Sequence, residues 1–426
     1  MTLLAHGIGS RTDLPIPFWL ALYGAGIAVV ASFAALGVLW PKPRLRGAEA
    51  GRPLPRAFVA VADSPVVRWG LRLVVLGLTF LVVAAGIAGP PLSEGNMAPY
   101  AFYVAFWVGL LPLSLLCGPI WRIVNPLRTL HALISRLAGT PPDRGLRELP
   151  AALGYWPAAV SLAAFVWLEL VYPDRAEPSV VALWIIGYAV VHLVAAAVYG
   201  AAWFETSDGF EVYFSLMARL SPFGRRADGR LVVRNPLDGL AATVVRPGLV
   251  ATLCVLIGST AYDGITRTQW ARDQSLESSP WLGTLVLALM MGVVAATYLE
   301  ATRRNAAAFV HSVVPIALGY AVAHYFSLLM LEGGQTTLIL AADPFGSGAD
   351  WLGTARWAVN YTVVSTSTIA LVQVGAIVIG HILGVVAAHD RAVRLFTGRD
   401  ALRNQYPLLA VMVAYTVGGV ALLLGT

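Results

Sequence analysis

Apolar residues in this chain run in long, nearly unbroken stretches rather than in the short spaced clusters of a soluble core. Ten such stretches stand out, near 16–40, 69–90, 99–121, 151–172, 179–203, 247–266, 281–302, 307–331, 360–388 and 407–425. An α-helix needs roughly 20 apolar residues to cross the hydrocarbon of a bilayer, so each stretch predicts a transmembrane helix. The expected fold is all-α: a polytopic bundle of about ten spans, with residues 1–426 forming a single integral membrane domain.

Charge between the stretches gives the expected bundle a direction. Twenty-three of the 29 basic residues fall in the loops of one side: 41–68, 122–150, 204–246, the Arg303-Arg304 turn, and 391–403. The opposite side carries Arg11, Arg175, Arg267, Arg272 and Arg356. Lysine and arginine resist translocation, so the basic loops are expected in the cytoplasm and both termini outside. Hydrophobic residues make up 58% of the chain and charged ones 12%, far from the usual soluble balance. The net charge of +6 therefore reflects membrane orientation, and no nucleic-acid partner is expected. Cys117 and Cys254 fall inside apolar stretches, where thiols are inert. The first stretch is too long for a signal peptide and is expected to stay as an anchor.

The basic loops contain short helical patterns. Asn125-Pro126 is a helix-start signal, and Leu127, Leu130, Ile134 and Leu137 follow at helical spacing, with Arg128, His131 and Arg136 away from them. This predicts an amphipathic helix on the inner leaflet, its arginines meeting anionic lipid headgroups. Asp208 and Glu211 form a capping-box-like start ahead of Phe210, Phe214, Met217 and Leu220. On the other side, the extracytoplasmic loop 332–356 holds the turn Asp343-Pro344-Phe345-Gly346.

Polar residues inside the apolar stretches carry the functional signal, because each is costly in hydrocarbon and needs a partner. His192 lies in the fifth stretch, His311 and His324 in the eighth, His381 in the ninth, and Glu169 near the outer end of the fourth. Helix rise places His311 roughly 6 Å and His381 roughly 10 Å from the cytoplasmic surface. Thr366, Gln373 and His381 fall along one side of the ninth stretch as a polar seam, and Tyr320 lies one turn from His324. One reading is a proton relay or solute path through His324, Gln373, His381, His311 and Thr366. A second is a transition metal or haem held by His311, His324 or His381. A third is packing, with the imidazoles hydrogen-bonded between helices. Asp263-Gly264 reads either as a site or as a helix end, and Asp343 and Glu169 are further outer-side candidates. His6-Gly7 with Asp13 gives a weak metal signal. No Gly-rich phosphate loop, nucleophile elbow or His-Glu-x-x-His helix occurs.

Several strings resemble, in order, a family of polytopic bacterial inner-membrane proteins. They are His6-Gly7 ahead of Asp13-Leu14-Pro15-Ile16-Pro17, Asn125-Pro126, Trp167-Leu168-Glu169-Leu170, Asp263-Gly264, His324-Tyr325, Asp343-Pro344-Phe345-Gly346, Gln373, His381 and His389-Asp390. Some members are labelled fenitrothion hydrolase, which implies organophosphate ester hydrolysis and an inner-membrane location. In some members a histidine stands where this chain has Tyr320, a difference that weakens a two-histidine metal site there. From the residues alone, the leading expectation is a permease-like protein moving a small solute or ion. The alternatives are a membrane-embedded metal or haem enzyme, a hydrolase on the outer face using Glu169, Asp263 or Asp343, and a structural subunit.

Overall fold

The structure, a computed structural model, describes residues 16–424; His6, Gly7 and Asp13 lie outside them. The chain is mostly helical. Eight segments among the described residues are long and apolar enough to cross a membrane. They are α1 (Phe18–Leu39), α2 (Pro65–Ala88), α3 (Met97–Cys117), Pro178–Tyr199, Leu249–Thr266, Pro280–Met330, Thr366–Leu395 and Arg399–Leu423. Three of the ten expected spans take a different form. The stretch at 151–172 yields a 15-residue helix, Trp156–Leu170, short for a bilayer of ~30 Å at 1.5 Å per residue. The segment Pro280–Met330 holds two helices, Pro280–Thr302 and Val314–Met330. A tight stretch at Arg303–Asn305, where Arg303 adopts φ 50°, and a 3-10 turn at Val310–Val313 lie between them.

In chain order the elements that follow α3 are α4 (Pro126–Leu137), α5 (Trp156–Leu170), α6 (Pro178–Tyr199), α7 (Ala202–Ser207) and α8 (Gly209–Met217). Next come α9 (Leu249–Thr266), α10 (Pro280–Thr302), α11 (Val314–Met330), α12 (Glu332–Leu340), α13 (Thr366–Leu395) and α14 (Tyr406–Leu424). The closest pair is α11 with α13. Hydrocarbon offers no hydrophobic drive between helices, so close approach depends on small side chains. Gly380 and Gly384 supply it: a Cβ on Gly380 would lie 2.6 Å from the Pro315 carbonyl oxygen, and one on Gly384 2.7 Å from that of Ser312. A Cβ on Gly319 would strike the Ala376 carbonyl. This antiparallel register sets Gln373 at the level of His324, and His381 about one turn nearer the basic end than Tyr320.

The basic segments are more structured than loops. Arg52–Pro53 (β1), Phe223–Arg225 (β2) and Leu231–Val233 (β3) form a small antiparallel sheet in the order β1-β3-β2, with Arg52 opposite Val233 and Gly224 opposite Val232. It ties segment 41–68 to segment 204–246. In α4 the expected amphipathicity is present, but its polar side turns inward. Ile134 and Leu137 are exposed while Thr129, His131 and Ser135 are buried. Arg128 therefore meets a carboxylate rather than a headgroup, as described below, and Arg136 lies over the Trp69 ring at 4.3 Å. The larger departure is α8. Segment 204–246 is expected as a cytoplasmic loop, yet eight of the nine residues of α8 are buried. Phe210 packs on Phe106, Phe165 and Tyr188 with centroids 4.8–5.0 Å apart. Its apolar stripe is thus only part of an all-round apolar surface, which suits an enclosed helix.

Asp208 caps α8, accepting from the backbone N–H of Phe210 and of Glu211 at 3.0 and 3.3 Å. Glu211 does not close the capping box. Its carboxylate takes two hydrogen bonds from Arg128, Nε to Oε2 and Nη2 to Oε1, both 2.6 Å. Asn125 caps α4 through Oδ1 and donates from Nδ2 to both Asp208 and Glu211, at 2.9 and 3.1 Å. Tyr188 completes the cluster with a 2.6 Å hydrogen bond to Asp208.

Candidate functional site

Three polar side chains meet near the end of the bundle opposite the arginine-rich segments. Asp263 on α9 and Arg267, the residue that caps its C-terminus, are four residues apart and so share a face; His324 comes from α11. The Nε2 atom of His324 lies 2.9 Å from Asp263 Oδ2, a close contact that is out of line for a hydrogen bond. Arg267 Nη2 lies 3.9 Å from the same carboxylate oxygen and 3.4 Å from His324 Nδ1. Asp263 and His324 are buried. Of the two readings of Asp263-Gly264, a site or a helix end, the second does not hold at these two residues: α9 runs on to Thr266, where the apolar stretch ends. Gly264 instead admits the neighbouring helix, since a Cβ there would lie 3.0 Å from Leu422 Cβ.

A second acid sits beside this group. Tyr325 donates its phenol to Glu169 Oε1 at 2.7 Å, and Trp107 Nε1 approaches the same phenol oxygen at 3.3 Å. Trp107 directly follows a π-helical segment, Ala101–Phe106, within α3; such wide turns shift the side chains that follow them. Tyr213 of the buried α8 stacks on the Trp107 ring at 4.4 Å. Adjacent residues His324 and Tyr325 thus serve two acids, Asp263 on α9 and Glu169 on α5.

His324 and Arg267 stand at the polar end of a cavity of about 220 Å³ between α9, α10, α11 and α14. The rest of its wall is largely apolar, including Ile257, Met290, Ala323 and Leu422, with Thr260, Tyr320 and Tyr415 adding hydroxyls. Val293, another lining residue midway along α10, is 42% exposed. The cavity therefore opens sideways, toward the surface that lipid would cover. It suits a small ligand with an apolar body and one polar centre.

The remaining sequence candidates are spread out. On α13, Gln373 and His381 are buried, and Gln373 Oε1 and His381 Nε2 have no hydrogen-bond partner among the described residues. His381 Nδ1 is bonded to the carbonyl of Ile377, and its ring meets Tyr320 edge-on at 5.9 Å. Tyr320 donates to the Tyr415 carbonyl at 2.7 Å. The buried Ile377 separates Gln373 from His381, and Thr366 is exposed in the first turn of α13. The expected seam thus has two buried members and no hydrogen bond between them. His311 lies away from this region, in a separate cavity at the basic end. His192 accepts from Trp203 Nε1 at 3.0 Å and stacks near Tyr188 at 4.2 Å, a packing arrangement. Asp343 organises its own turn, accepting from Ser347 N and Oγ and from Gly348 N. Hydrogen bonds from the Ser347 and Gly348 backbone hold its carboxyl below the usual range.

Among the described residues, no three His, Cys, Asp or Glu side chains converge as a metal-ligand set. Sequence reasoning named each of Asp263, His324 and Glu169 but not their meeting; Tyr325 entered only within the His324-Tyr325 string, and Arg267 and Trp107 were missed as site residues. Arg267 carried a signal, four residues after Asp263; Trp107 had none. No family model, no curated protein and no solved structure matches this chain.

Proposed function

We propose that this chain is a multi-pass protein of a bacterial inner membrane that hydrolyses a small, uncharged, apolar ester reaching it from the bilayer. The placement of His324 between Asp263 and Arg267, at the polar end of a sideways-opening apolar cavity, carries this reading. In this reading Asp263 holds the His324 tautomer with hydrogen on Nε2, which leaves a basic lone pair on Nδ1. A water takes the position beside Nδ1 that Arg267 Nη2 now occupies. Nδ1 accepts the water's proton as its oxygen attacks the acyl or phosphoryl centre, and the Arg267 guanidinium offsets the developing oxyanion. The proton then passes to the departing alkoxide or phenoxide, giving an acid and an alcohol. The out-of-line Asp263–His324 contact accords with pairs that align only around substrate. The resemblance to proteins labelled as organophosphate ester hydrolases supports the same class.

The ten-span arrangement, with both termini outside, belongs to this proposal. It rests on the basic loops, the helix pair within Pro280–Met330 and the short α5, and it puts the His324 site in the outer half of the membrane. The test is release of nitrophenol from nitrophenyl carboxylic and phosphotriester substrates by detergent-purified protein. Turnover abolished by His324→Ala supports the reading, and turnover absent or indifferent to His324 overturns it. One observation favours solute passage as a second reading: the buried atoms Gln373 Oε1 and His381 Nε2, unpartnered among the described residues, would welcome a polar solute. Flux into proteoliposomes lost in Gln373→Leu, without nitrophenol release, would select it.

A further inference from the structure

The basic end of the bundle contains a second cavity, of about 200 Å³, lined by Leu45, Arg46, Gly47, Ala241, His311, Asp390, Arg391 and Arg394. Three arginines and a single carboxylate are among its lining residues. That carboxylate is already engaged. Asp390 Oδ1 accepts from the backbone N–H groups of Arg44 and Leu45, at 2.6 and 3.1 Å, and from Trp40 Nε1 at 3.0 Å. Its Oδ2 faces Arg394 Nη2 at 3.4 Å. These bonds hold segment 44–47 against α13, and a 2.6 Å bond from the Arg46 backbone N–H to Asp238 fixes its far side. The rim is therefore built rather than loose. Arg391 is the odd member. It is partly buried, it makes a long hydrogen bond to the Ala241 carbonyl at 3.5 Å, and among the described residues no carboxylate lies within ion-pair distance of it. A partly buried cation without an anion is unfavourable. A second cation beside it, Arg394, makes the deficit larger.

We infer that this cavity binds a phosphate-bearing anion between Arg391, Arg394 and Arg46, with His311 at its floor. Guanidinium forks match phosphate oxygens in pairs, and a basic pocket between helices at the cytoplasmic surface suits either a lipid phosphate or a free one. The inference is independent of the hydrolytic reading, since the two cavities share no lining residue.

The experiment measures binding of inorganic phosphate and of a short-chain phosphatidate to the full-length protein in detergent by titration calorimetry, with phosphatidylcholine as the uncharged control. At least one phosphate probe is expected to bind, and to weaken at least tenfold in Arg391→Gln. Arg46→Gln, at an exposed position, gives a second reading should Arg391→Gln fold poorly. Phosphatidate binding tenfold tighter than phosphate assigns the site to a lipid headgroup; comparable affinities assign it to a soluble phosphate. Binding of neither probe, or equal binding by wild type and both variants, overturns the inference.

Discussion

Arg128 and Glu211 face each other as a two-pronged ion pair, 83 residues apart in the chain, with both N–O distances 2.6 Å. Glu211 is 1% exposed, so the pair joins α4 to a helix enclosed by the bundle. Removing one partner of a buried pair strands the other charge and costs about 3–5 kcal/mol. Arg128→Ala is expected to lower thermal stability in detergent by an amount of that order. Arg128→Lys keeps the charge and loses the fork, so its loss should be smaller. An Arg128→Ala protein as stable as wild type would remove the pair from the account of how α8 is held.

Two glycines on α13 should respond in opposite ways to the same added methyl group. At Gly380 a Cβ meets the Pro315 carbonyl oxygen at 2.6 Å, whereas at Gly375 nothing lies within 4 Å. Overpacking of that kind costs about 1–3 kcal/mol. Alanine on an open helix face gains up to about 1 kcal/mol over glycine. Thermal melts of Gly380→Ala and Gly375→Ala should therefore move down and up, and a matching shift in both would contradict the α11–α13 register.

At the His324 site, loss of general-base assistance lowers turnover by about 10²–10⁴-fold. Asp263→Asn and His324→Ala are each expected in that range. Because the two residues act as a unit, the double variant should fall little below the worse single one. Steady-state kinetics with a nitrophenyl ester reads this directly, and independent, multiplying losses would break the pairing.

The turn at Asp343 should loosen in acid. Its hydrogen bonds need the ionised carboxylate and hold its folded pKa below the usual value. The stabilisation is thus fully present above the ordinary carboxyl range, about pH 4, and is lost as pH falls through the lowered folded value. Hydrogen exchange at Ser347 and Gly348, corrected for intrinsic rates, should rise on acidification in wild type. It should be high and flat with pH in Asp343→Ala; a flat wild-type profile contradicts the assignment.

Orientation can be read with thiol labels. Leu146 in a basic segment is 84% exposed and Leu352 on the opposite side 55% exposed. In a Cys117→Ala, Cys254→Ala background, a membrane-impermeant maleimide applied to intact cells should label Leu352→Cys. It should label Leu146→Cys only after permeabilisation. The reverse pattern would invert the bundle.

The long helices were legible because their signal is local: an apolar run and its arginine flanks. The α4 start was legible for the same reason, as Asn125 and Pro126 act on the very next residues. Asp263-Gly264 stayed ambiguous because Asp-Gly is turn chemistry in water, whereas here Gly264 lies within α9 and makes room for Leu422. The link from Glu169 to Tyr325 spans 156 residues, and no spacing rule within one helix reaches that far. Segment 204–246 was obscured by its length. Nine residues are too few to register as a span, so an apolar helix enclosed by protein reads as part of a loop.

That enclosed helix also constrains the order in which the molecule is built. Six residues of α7 and nine of α8 cannot cross a bilayer, so this piece has no route into the membrane of its own. Phe210 and Phe214 reach their places against Phe106, Phe165 and Tyr188 only once the helices bearing those rings stand together. Docking of α8 is then a late step that seals an inserted but hollow bundle. Damage at Phe210 should leave every span in place and yield a protein that quality-control proteases remove after insertion.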